Sequence, residues 1–137
     1  MGQPVVHFEI VGRDGKALRS FYSDLFGWDA VGLPANPDYA MVEREGNTNP
    51  EGIGIGGAIS SLPEQPSSTW QGPIRADGYE GHVTVYVEVP DVDAALGQAE
   101  SLGGKRMLGP DEIPGGPTIG AFTDPEGHLI GIVGSQP

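Results

Sequence analysis

A chain of 137 residues is long enough to bury roughly two-thirds of its unfolded surface in one core, and with no cysteine it carries no disulfide, thiolate nucleophile or Cys-based metal site. Its 7 Lys and Arg against 19 Asp and Glu give a net charge of −12, spread along the chain rather than gathered in a tail. Such a field repels phosphate backbones, which argues against nucleic acid as a partner; it would favour a cationic ligand, or serve only as a solvated acidic surface that keeps the protein soluble.

The opening Met1-Gly2-Gln3-Pro4-Val5-Val6-His7 has no basic n-region and no apolar core, and no later run approaches the length of a membrane span. These features predict a soluble, cytoplasmic protein with no membrane partner. Val6, Phe8 and Ile10 then alternate with His7 and Glu9, the period of a half-buried strand. From Asp14 the period changes: Leu18, Phe21, Tyr22, Leu25 and Phe26 fit one face of a helix capped by Asp14 and stopped at Gly27. Three short strand-like pieces follow, at about residues 28–33, 39–43 and 53–59, giving the order β-α-β-β-β.

The second half repeats that order. A strand is predicted over 83–89, a helix over 91–102 with Asp91 as N-cap and Val92, Ala95, Leu96, Ala99 and Leu102 as its buried stripe, and strands near 105–108, 119–123 and 129–133. The chain is expected to be one domain (residues 1–137) built of two modules, 4–59 and 81–135. Between them, residues 60–80 are rich in Ser, Pro and Gly and read as a linker that carries one conspicuous aromatic, Trp70.

Three motifs stand in this order: Phe21-Tyr22 with Phe26-Gly27-Trp28 at the end of the first helix, Asp91-Val92-Asp93-Ala94-Ala95 opening the second, and Asp124-Pro125-Glu126-Gly127 turning into the last strand. With the paired modules, they make the chain resemble the vicinal oxygen chelate superfamily, which includes glyoxalase I, extradiol dioxygenases, and bleomycin and fosfomycin resistance proteins. The resemblance implies an α+β fold in which two βαβββ modules form a cup-shaped mixed sheet with helices on its outer face. It also implies a homodimer. In such a cup, alternate strand positions face inward, which assigns His82, Thr84, Tyr86 and Glu88 to the cavity and Val83, Val85, Val87 and Val89 to the helix side.

Enzymes of this superfamily hold one divalent metal with a His in the first strand, a Glu in the fourth, a His in the fifth and a Glu in the eighth. A nitrogen- and oxygen-ligated site of that kind wants at least three protein ligands at about 2 Å. His7 matches the first position. The fourth-strand position falls among Gly52-Ile53-Gly54-Ile55-Gly56-Gly57-Ala58-Ile59, with no carboxylate. The caps Asp14 and Asp91 are 77 residues apart, so the repeat maps His7 onto Thr84 and leaves His82 one pleat upstream, displaced by about 6.6 Å. Gly131 stands at the eighth-strand position. The expectation is therefore no metal cofactor; a divalent metal on a rebuilt centre from His7 and His82 is the alternative.

Glycine inside a strand marks close approach, open space, or a bend or bulge in the sheet; Gly54, Gly56 and Gly131 are expected either to enlarge the cup or to serve sheet curvature. Its wall would be Trp28, Tyr39, Trp70, Tyr86 and Phe122, with His7, Glu9, His82, Thr84 and Glu88 as polar groups. Aromatic faces with a few directed polar groups suit a flat or cationic small molecule. Trp70, which no core pattern explains, is the strongest single candidate to close over a ligand. The reading that follows is a small-molecule binding protein of the antibiotic-sequestering kind, acting without metal. Two others stay open: an isomerase, lyase or dioxygenase-type enzyme, using a rebuilt metal site or His7 and Glu9 as a metal-free acid–base pair, and an accessory protein that makes protein contacts.

Overall fold

In a computed structural model, which describes residues 2–62 and 81–135, local chemistry places both helices where the sequence predicts. The Asp14 carboxylate accepts the Ala17 amide at 3.0 Å and starts α1 (Gly15–Phe26), which Gly27 closes in the left-handed region at φ 74°. Asp91 does the same for α2 (Val92–Ser101), accepting from the Ala94 amide at 3.0 Å. Around them run β1 (Val5–Gly12), β2 (Val31–Leu33), β3 (Asn36–Val42) and β4 (Gly57–Ser61) in the first module. The second holds β5 (His82–Val89), β6 (Lys105–Glu112), β7 (Thr118–Thr123) and β8 (Leu129–Gly134). Among the described residues, no helix is long and apolar enough to cross a membrane.

The eight strands make one mixed sheet in the order β2-β3-β4-β1-β5-β8-β7-β6. The modules join along β1 and β5, which are antiparallel, with Glu9 opposite Thr84, His7 opposite Tyr86 and Val11 opposite His82. On the outer face, α1 covers a cluster of Ile10, Val42 and Ile59, joined by Phe8, Leu18, Tyr22 and Trp28. Under α2 the cluster is Val89, Val92, Leu96 and Ile132, joined by Val87, Ala95 and Phe122. Ile59 and Leu96 are fully buried. The other face of the sheet is the concave side of an open cup.

The structure departs from the sequence reading at four points. First, α1 meets the sheet along its Leu18–Tyr22 edge, so Phe21, Leu25 and Phe26, expected in the buried stripe, are each more than half exposed. Second, β4 begins at Gly57 rather than Ile53. The Arg44 guanidinium donates to the carbonyls of Gly52 and Gly54, and holds residues 52–56 as a loop against the turn after β3. Third, β4 continues through Ser61, whose hydroxyl accepts the Gly15 amide at 3.0 Å and ties the strand to the start of α1. Fourth, Val83, expected to pack under a helix, is 70% exposed, and Leu102, expected in the buried stripe of the second helix, is 71% exposed as the C-cap that follows α2. The remainder of the expected linker, with Trp70, lies outside the described residues.

Candidate functional site

Strand alternation and register assemble a polar cluster on the concave face of the sheet. Glu9 on β1 has two diagonal neighbours on β5, Tyr86 and His82, one on each side of its direct partner Thr84. Diagonal positions in an antiparallel pair lie within reach of long side chains, and both meet Glu9. The Tyr86 hydroxyl donates to Glu9 Oε1 and Oε2 at 3.3 and 3.4 Å, and His82 Nε2 stands 3.5 Å from Oε1. A third contact comes from β3. Tyr39 pairs with Ser60, and Met41 with Ala58, so only small side chains of β4 intervene on this face between Tyr39 and β1. The Tyr39 hydroxyl reaches over them and donates to Glu9 Oε2 at 2.9 Å.

His7 completes the group. Its Nε2 lies 3.0 Å from the Tyr39 oxygen, and its ring stacks with Tyr39 and meets Tyr86 edge-on, with centroids 6.5 and 5.5 Å away. Because the Tyr39 proton goes to Glu9, the Tyr39 oxygen is left to accept, which assigns the Nε2–H tautomer to neutral His7. The result is a chain of donors running from His7 through Tyr39 to Glu9.

Burial would push the Glu9 carboxyl up. Hydrogen bonds from His82 and Tyr39, with the charges His82 and His7 carry when protonated, outweigh that cost and hold it below the usual glutamate range. The group is therefore an anion at neutral pH, with its side chain only 12% exposed. Burial drives His7 down, against the opposing pull of Glu9, so its imidazole is neutral. Desolvation raises both tyrosines well above the ordinary phenol range, and the neighbouring Glu9 charge adds to it. They act as neutral donors.

Five of the expected site residues thus come together: His7, Glu9, Tyr39, His82 and Tyr86. Glu88 lies on the same strand face, two residues beyond Tyr86. Others go elsewhere. Trp28 packs against Phe8, Tyr22 and Phe26 under α1, and Phe122 joins the cluster under α2, so both stand on the convex side rather than the cup wall. Phe122 pairs with Ile130, one residue out of step with Ala121 and Gly131, and strand parity turns it outward. Thr84 is 6% exposed, and its hydroxyl donates to the Leu129 carbonyl at 2.7 Å, so it ties β5 to the start of β8.

The glycines do not open the expected volume. Gly54 and Gly56 lie in the loop before β4, where a side chain would meet the Asn47 and Val42 carbonyls. Gly131 does face the cup, but the Tyr86 ring covers it, and a Cβ there would sit 2.6 Å from that ring. The sequence reading missed Met41, Ala58 and Ser60 on the cup face, although the alternation of Met41 with Ala40 and Val42, and of Ala58 and Ser60 with Ile59, carried the signal.

The four-ligand metal set that the resemblance implies does not fit these residues. The cup-facing positions of β4 are Ala58 and Ser60, Thr84 is engaged with Leu129, the Gly131 position is filled by Tyr86, and His82 is turned to Glu9. Among the described residues, no three His, Cys, Asp or Glu side chains are grouped to hold a metal ion. What the cluster offers is a fixed buried anion, ringed by two phenols and two imidazoles.

Curated proteins similar to this chain include a candidate glyoxylase, CFP32, of Mycobacterium tuberculosis, 28% identical over 119 residues. Another is the anthracycline biosynthesis protein DnrV of Streptomyces peucetius, 26% identical over 128 residues. The matches take in 87% and 91% of this chain but only 41% and 44% of those proteins, so the chain spans less than half the length of either relative. Among solved structures, methylmalonyl-CoA epimerase of Streptomyces coelicolor shares the fold with a TM-score of 0.64 at 21% identity, over 98% of this chain and 99% of that one. A superfamily member from Vibrio splendidus does so with a TM-score of 0.58 at 14% identity, over 98% and 100%. The family model for the Glyoxalase/Bleomycin resistance protein/Dioxygenase superfamily matches residues 5–132, nearly the whole described sheet and both helices. By that match and by its paired βαβββ modules, the chain belongs to this superfamily.

Proposed function

We propose that the protein binds a bulky, aromatic, cationic small molecule in the cup without a metal, with Glu9 as the buried counter-charge. The observation that carries this reading is the state of Glu9: an ionised carboxylate, mostly removed from water and already supplied with hydrogen bonds from Tyr39 and Tyr86. A carboxylate so held is a poor mobile base and a good fixed charge, because its donors stabilise the anion and restrain its position. The rings of Tyr39, Tyr86 and His7 around it present π-faces and edges to a flat cation. The relatives named for anthracycline biosynthesis support a polycyclic ligand.

Titration with proflavine, a planar tricyclic cation, tests this by calorimetry or dye fluorescence. The expected outcome is micromolar binding that weakens about tenfold or more in Glu9→Gln, while neutral anthracene-type analogues do not distinguish the two proteins. Glu9 is one of 19 acidic residues, so its removal hardly changes non-specific attraction to the surface. Equal proflavine affinity in both proteins would sink the reading, as would stoichiometric binding of nickel, zinc, manganese or ferrous iron that His7→Ala abolishes.

One observation favours a second reading, a metal-free acid–base enzyme: the donor chain from His7 through Tyr39 to Glu9, which makes Nδ1 the unprotonated, basic nitrogen of neutral His7. Deuterium incorporation into a carbon acid incubated with the protein in D2O, dependent on His7, would place that reading first.

A further inference from the structure

We propose that Gly131 determines the size of ligand the cup accepts: by carrying no side chain it lets the Tyr86 ring bed down on β8, leaving space over Glu9 for a bulky planar cation rather than a small ammonium group. The inference rests on the cation-binding reading of the cup and assigns it a size class.

Three observations lead there. Gly131 and Tyr86 are direct partners in the parallel pairing of β8 with β5, and the ring lies over Gly131. A Cβ on Gly131 would lie 2.6, 2.7 and 2.8 Å from Tyr86 Cε2, Cδ2 and Cζ, closer than carbon atoms can approach, and the clash runs along the ring edge up to the carbon that bears the hydroxyl. Gly131 is not among the glycines with positive φ, so nothing in its backbone excludes alanine. The ring is what a side chain at this position would meet first. On β7 the next residue across is Ala121, also small, which extends the bed in the direction away from β5.

A methyl group at residue 131 must therefore move the ring, because a side chain yields more readily than the strand beneath it. The available direction is away from the sheet, into the cup. The displaced ring takes volume from directly above the carboxylate and loses its 3.3 and 3.4 Å hydrogen bonds to Glu9. A planar tricyclic ligand needs that volume. A short alkylammonium ion does not.

A double-mutant cycle of Gly131→Ala and Tyr86→Ala tests the inference, with proflavine and butylammonium as probes and urea unfolding as a ligand-free measure. In the wild-type background, Gly131→Ala is expected to weaken proflavine about tenfold or more and butylammonium by less than about threefold, and to lower the urea midpoint. In the Tyr86→Ala background the same substitution should change neither affinity nor midpoint, since the ring it collides with is gone. If Gly131→Ala alone fails to fold while the double variant folds, the clash is supported directly. Equal effects of Gly131→Ala in both backgrounds, or none in either, would overturn the proposal. If the wild-type protein binds no proflavine, the cation-binding reading fails by itself, and the urea cycle still decides whether the ring rests on Gly131.

Discussion

The two βαβββ modules use one device on opposite faces of the sheet. In the first, Gly57 on β4 lies beneath the ring of its parallel partner Phe8, and the pair packs under α1 as core. In the second, Gly131 on β8 lies beneath its parallel partner Tyr86, and the pair lines the cup. The 77-residue offset between the helix caps maps Tyr86 onto Glu9, not onto Phe8, so the two aromatic residues sit one position apart in the repeat. One position in a strand reverses the face. The same chemistry, an aromatic ring over a glycine, is thus structural in one module and forms the site in the other.

The largest expected effects lie in the core of each module. Ile59 and Leu96 are the fully buried centres of the two outer clusters. Truncating either to alanine should cost about 3 kcal/mol, the usual range for a large buried aliphatic residue. Because β1 and β5 join the modules into one sheet, the two losses should add within one cooperative urea transition. Two separate transitions in Leu96→Ala would show that the modules unfold independently and that the shared sheet does not couple them.

A smaller effect separates the two phenols that hold Glu9. Tyr39 donates at 2.9 Å and also accepts from His7, whereas Tyr86 donates at 3.3 and 3.4 Å. Tyr39→Phe should therefore cost about 2 kcal/mol, as for a hydrogen bond to a charged group, since it weakens the Glu9 anion and leaves the His7 N–H without its acceptor. Tyr86→Phe should cost about 1 kcal/mol or less. Denaturant midpoints of the two variants measure the difference; the reverse order would mean that the first module is not the principal holder of the carboxylate.

The elements and the cup were legible in the sequence because they rest on period and caps. Asp14, Asp91 and the alternation in β1 and β5 specify them locally. The site was legible only as far as parity reaches. Parity on β1 and β5 gave His7, Glu9, His82 and Tyr86, and it also gave Thr84, whose hydroxyl turns out to be held by the Leu129 carbonyl, 45 residues away. Trp28 and Phe122 were misplaced for a related reason. An aromatic residue near a strand end has no alternating run on both sides to fix its face, so chemistry alone could not say which side it occupies. The glycines misled because an absent side chain reads as open space, while at Gly131 the space belongs to Tyr86.

The smallest effect concerns His7 and appears in how stability depends on pH. Its imidazole titrates lower in the folded protein than in the unfolded chain, chiefly through burial. Above the unfolded value, about 6.5 for histidine, both states are neutral and His7 contributes no slope. As pH falls below that value the unfolded chain takes up a proton that the folded protein refuses, so stability declines until the folded group titrates as well. Glu9 has the same sign in a lower window, because its depressed carboxyl stabilises the fold above the unfolded glutamate value, near 4.3, and that contribution is lost as pH falls further. The two groups can thus be told apart by window. Urea midpoints between pH 8 and 5 should fall in the wild type and fall less in His7→Phe, whereas the decline below pH 4 should persist in His7→Phe and shrink in Glu9→Gln. A His7→Phe profile that parallels the wild type from pH 8 to 5 would show that His7 is not the group kept neutral by the first module, and would remove it from the donor chain that ends at Glu9.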